Sequence, residues 1–90
     1  MVVVYAIIVY DVAQERVSKV CQFLRTHLNW IQNSVFEGEI PESSLEKIKI
    51  KLAELIDKNS DSVIIYVLSS KKLVKRDRIG IEKSPVTNIL

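Results

Sequence analysis

Ninety residues, 48% hydrophobic and 27% charged with only two glycines and two prolines, exclude a disordered or collagen-like chain and suit one compact α+β domain spanning residues 1–90. The net charge is +2, but residues 1–70 hold seven Lys and Arg against nine Asp and Glu, whereas residues 71–90 hold six against two. The basic charge is therefore expected in a C-terminal tail over residues 69–90, able to meet phosphates or simply to be a solvated edge.

The first stretch, "VVVYAIIVY", is β-branched and aromatic on both faces and reads as a central strand. It is too short for a membrane span, so no membrane association is expected. From Val12 the apolar positions become Val17, Val20, Cys21, Leu24 and Leu28, a spacing of three and four that lays one stripe along a helix. "NWIQNSVFEGEI" returns to strand-forming residues, with Asn33 and Ser34 offering a bend between two short strands. In "PESSLEKIKIKLAELIDKN" the stripe Leu45, Ile48, Leu52, Leu55 and Ile56 predicts a second helix, with Ser43 and Glu46 spaced as a capping box. "SVIIYVL" repeats the all-apolar character of the opening strand and is expected beside it in the sheet centre.

The order βαββαβ with right-handed crossovers predicts a ferredoxin-like sheet carrying both helices on one face. "RIGIEK" alternates Ile79 and Ile81 around Gly80. It reads as a fifth short strand with no place in that unit, and so as an edge strand pairing across a homodimer. A chain this short also gains stability from a second copy, because small domains bury a smaller share of their surface.

Much chemistry is excluded by composition. Two glycines, Gly38 and Gly80, leave no phosphate-cradling loop or dinucleotide fingerprint. The single Cys21 and single His27 lie six residues apart on one helix, about 120° apart around its axis, which rules out a nucleophile and base pair. One cysteine also excludes an internal disulfide and fits a reducing cytoplasm.

Asp11 stops the first apolar run just before a helical pattern, with Gln14 three residues on. It is placed to cap that helix. A carboxylate at the C-terminal end of a central strand can equally be a metal ligand, and two copies meeting at a two-fold axis make a better magnesium site than one. Both readings stay open on the local sequence. Lys47, Lys49 and Lys51 read as the solvated face of the second helix.

"VYDV", "RVSKVCQFLR", "WIQNSVFEGEI", "DSVIIYVL" and "RIGIEKSP" together resemble the small CRISPR-associated adaptation protein family, over almost the whole chain. The resemblance implies a ferredoxin-like homodimer that scaffolds foreign double-stranded DNA with an integrase subunit for spacer acquisition. It also implies a metal-dependent endonuclease or endoribonuclease activity, with single-stranded RNA as another substrate. On that resemblance Asp11 is the catalytic and metal-binding residue, with Mg2+ shared between the two Asp11 of the dimer. Tyr10, Ser34 and Phe36 match motif positions, and Arg16 matches a basic position near the start of the first helix. Trp30 departs from the pattern, standing where several relatives carry Arg. Nucleic acid would be held by Arg16 and by tail residues Lys71, Lys72, Lys75, Arg76 and Arg78 through backbone contacts without base readout. A non-catalytic ferredoxin-like binding or regulatory domain is the alternative, since fold alone does not fix function.

Overall fold

The computed structural model describes residues 1–84. Its elements run β1 (Val3–Asp11), α1 (Gln14–Arg25), β2 (Asn29–Gln32), β3 (Val35–Pro41), α2 (Glu42–Leu55) and β4 (Ser62–Leu68), followed by one 3-10 turn at Lys71–Leu73. The strands form one sheet in the order β2-β3-β1-β4 with every neighbouring pair antiparallel. This is the ferredoxin-like arrangement expected from the element order.

Register explains how the two faces differ. Ile8 lies opposite Phe36 on one side and Ile65 on the other. Val4, Ala6, Ile8 and Tyr10 alternate along β1 and are buried with Phe36 and Ile40 against Val20 and Leu24 of α1 and Leu45, Ile48 and Leu52 of α2. Both helices therefore cover that face, each burying the stripe its spacing predicts. The intervening residues Tyr5, Ile7, Val9 and Asp11 point to the opposite face, where Ile7 pairs with Glu37 and Tyr66, and Val9 with Ile64. No helix among the described residues covers this face.

Two backbone positions shape the β2–β3 hairpin. Asn33 takes φ of 42° in the turn, a left-handed conformation that asparagine tolerates better than most side chains. At Gly38 a Cβ would come within 3.2 Å of Leu28 Cδ2, so glycine lets the entry to β2 pass close over β3.

Three expectations need correction. Asp11 does not cap α1: β1 continues through it, paired to Ser62, and the helix starts three residues later at Gln14 with Ala13 as N-cap. The box of Ser43 and Glu46 does not form, because α2 begins at Glu42 behind Pro41, with no side-chain cap. The Glu42 N–H instead donates to the Val2 carbonyl at 2.9 Å, tying the helix start to the base of β1. β4 lies beside β1 but at the sheet edge, leaving Ile64 and Tyr66 49% and 54% exposed. Ile79 to Ile81, expected to pair only with a second copy, has no strand partner among the described residues of the protomer, and both isoleucines are exposed.

Candidate functional site

The C-terminal end of β1 gathers most of the motif residues. Tyr10 is buried and stacks on Phe36 at 6.2 Å between centroids and 24° between planes. Its N–H donates to the Ser34 carbonyl at 3.1 Å. Burial, reinforced by the neighbouring Cys21 thiol and opposed by Arg25 and a hydrogen bond with Ser34, pushes the Tyr10 hydroxyl up to about 12. It stays protonated through the neutral range and can donate but not act as a base. The motif thus has a structural account: Tyr10, Ser34 and Phe36 lock the β2–β3 turn against the strand that ends in Asp11. Trp30 belongs to the same hairpin, its indole N–H donating to the Asn33 carbonyl at 3.0 Å.

Asp11 itself is exposed on the uncovered face and makes no ion pair among the described residues. Neither do the described residues contain any group of three or more His, Cys, Asp or Glu able to hold a metal ion. One protomer offers a single carboxylate at this position, a donor set too small for a hard divalent cation.

Arg16 is committed within the protomer. Its Nε donates to Asp61 Oδ2 at 2.6 Å and its Nη2 to Asp61 Oδ1 at 3.0 Å, a two-pronged pair, while Nη2 also reaches Ser60 Oγ at 3.2 Å. Asp61 accepts two further N–H groups, from Ala13 at 3.0 Å and Asp57 at 2.9 Å. The Arg16 guanidinium and the Asp57 and Ala13 backbone donors outweigh desolvation and hold the Asp61 carboxyl well below the usual carboxylate range. Asp61 was not singled out from the sequence because "NSDS" reads as an ordinary turn.

The tail residues divide. Lys71, Lys72 and Lys75 are exposed with no ion pair among the described residues, the Ser70 hydroxyl capping the turn by accepting from the Lys72 N–H at 3.1 Å. Arg78 pairs with Glu82 on its own segment. Arg76 reaches back to Glu37, a carboxylate only 5% exposed on β3 that also accepts from the Tyr5 hydroxyl. Glu37 and Tyr5 were missed in the sequence, although their β-period places both on the face away from the helices.

A ferredoxin-like sheet that buries one face under two helices and leaves an acidic residue at the rim of the other defines a small α+β protein built to present a sheet surface. The chain belongs to the CRISPR associated protein Cas2 family, whose sequence profile matches residues 3–76. It is 56% identical to the CRISPR-associated endoribonuclease Cas2 of Pyrococcus furiosus, over 96% of this chain and 99% of that one. It is 51% identical to the protein of the same name from Methanothermobacter thermautotrophicus, over 100% and 99%. A solved structure described as a crystal structure of Cas2 superposes with a TM-score of 0.86 at 41% identity, covering 98% of this chain and 99% of that one. No helix among the described residues is long and apolar enough to cross a membrane.

Proposed function

We propose that the chain acts as a cytoplasmic homodimer in CRISPR adaptation, scaffolding foreign double-stranded DNA with an integrase subunit for spacer acquisition. The same dimer is proposed to carry a magnesium-dependent phosphodiester hydrolase activity on RNA or DNA, in keeping with the endoribonuclease names of its relatives. Asp11 is the observation that carries this reading: an exposed carboxylate, unpaired among the described residues, at the end of the central strand and on the face left uncovered by α1 and α2. Its donor chemistry fits a hard cation only when a second copy brings a second Asp11. When bound between them, magnesium supplies charge neutralisation at a phosphodiester oxygen and a water of lowered pKa.

The chain's own residues supply the setting. The β1–β4 ladder and the Asp61 bonds to Ala13 and Arg16 fix the backbone on either side of Asp11. The exposed Lys71, Lys72 and Lys75 offer sequence-independent charge for phosphates. The test measures magnesium binding by calorimetry, cleavage, and spacer integration with the integrase subunit, for the wild-type protein and for Asp11→Asn. We expect one magnesium per dimer, lost in the variant together with cleavage, while integration persists because scaffolding needs the surface and not the ion. Cleavage at the wild-type rate by a folded, dimeric Asp11→Asn protein overturns the hydrolase assignment.

A further inference from the structure

A carboxylate buried on a sheet face is costly unless its charge is answered. Glu37 sits there 5% exposed, between the Tyr5 hydroxyl and the Arg76 guanidinium. The two β1 and β3 residues belong to the rigid sheet, whereas Arg76 lies on a segment without regular structure. Three residues beyond Arg76, Ile79 is fully exposed, and Ile81 follows at 77% exposure, before Ser84 is buried again. Such a segment is pinned at two points and bares its apolar side chains between them.

We infer that Tyr5 and Glu37 form a socket which, by holding Arg76 of the same chain, fixes where the C-terminal arm leaves the protomer and so which edge of a second copy Ile79 and Ile81 can reach. This rests on the dimer reading above. The consequence is geometric. Extended chain covers at most about 3.3–3.6 Å per residue, so an anchored arm delivers Ile79 within roughly 10 Å of Arg76. Without the socket the last regular structure before the arm is the 3-10 turn ending at Leu73, six residues before Ile79 instead of three. Since the probability of bringing chain ends together falls as about the three-halves power of loop length, releasing the anchor lowers the local concentration of the arm about threefold. Arg76 is then an intramolecular tether rather than a phosphate contact.

The test is a double-mutant cycle of Glu37→Gln and Arg76→Gln, read by sedimentation for the dimer dissociation constant and by 15N relaxation for the order of residues 74–84. Arg76→Gln changes an exposed side chain and keeps the protomer intact whatever happens at Glu37. We expect each single variant to weaken the dimer about threefold and to loosen the arm on the nanosecond timescale, and the double variant to be no weaker than either single one. Arm order and dissociation constant unchanged in Arg76→Gln overturn the socket, as do fully additive losses in the cycle. A wild-type protein that stays monomeric at every concentration overturns the dimer reading and with it the reach to a second copy, while an arm still loosened by Arg76→Gln identifies the socket as an intramolecular anchor only.

Discussion

At Asp61 four hydrogen bonds converge on one carboxylate from three segments: Ala13 ahead of α1, Arg16 in its first turn, and Asp57 in the loop before β4. All of them favour the charged form, so the folded protein binds the Asp61 proton less readily than the unfolded chain does. The sign of the linkage follows. The stabilisation is fully present above the unfolded value near pH 3.9 and is lost as the pH falls toward the folded value. We expect Asp61→Asn to lower the urea midpoint at pH 7, and the gap between variant and wild type to narrow steadily below about pH 4. A gap that stays constant from pH 7 to pH 2.5 contradicts the charge-based account. Glu37 is a buried carboxylate on the other face, with Tyr5 as its neutral donor. Removing a hydroxyl bonded to a buried carboxylate typically costs about 1.5–3 kcal/mol. Tyr5→Phe is expected to fall in that range by chemical denaturation, with the core on the helix side untouched.

At the level of elements, β1, both helices and the hairpin were legible because each carries one strong periodicity, and their order alone implied the sheet. β4 was legible as a strand and misjudged in position. Its run Ser62–Leu68 is apolar on both faces, which normally signals a strand covered on both sides, yet in the protomer it is an edge with Ile64, Tyr66 and Val67 half exposed. The sequence encodes burial without saying which chain provides it. Helix starts were misread for a related reason: local spacing proposed Asp11 and Ser43 as caps, while the donors are met by Asp61 and the Val2 carbonyl, 48 and 40 residues away in sequence. The site was half legible in the same sense. Asp11 was found because it interrupts a pattern, whereas Glu37 and Asp61 matter only through partners that the fold brings near. If the apolar excess of β4 serves association, Tyr66→Ser and Ile64→Thr should leave protomer stability within about 1 kcal/mol and weaken the dimer by tenfold or more, as seen by sedimentation. Ile8→Ala, in the fully buried core, should instead cost about 2–5 kcal/mol in denaturation.

Across the whole molecule, the charge asymmetry of the sequence is partly cancelled by the fold. Of the five tail cations expected to meet phosphates, Arg76 is turned onto Glu37 and Arg78 onto Glu82, leaving Lys71, Lys72 and Lys75 facing solvent without ion pairs among the described residues. Arg16, the sixth candidate, answers Asp61. A cation held by its own carboxylate is not free to neutralise a phosphate, whereas a solvated lysine that does so releases a counterion from the nucleic acid. Each such contact with duplex DNA contributes about −0.9 to the slope of log affinity against log salt. Replacing Lys71, Lys72 and Lys75 with Gln should therefore flatten that slope by up to about 2.7 per protomer engaged. Arg76→Gln should act through the arm and leave the slope nearly unchanged. Fluorescence anisotropy of a labelled duplex titrated at several salt concentrations separates the two. A slope unmoved by the lysine triple variant takes DNA off the tail altogether, and a slope moved as strongly by Arg76→Gln alone means that nucleic acid competes with Glu37 for that guanidinium.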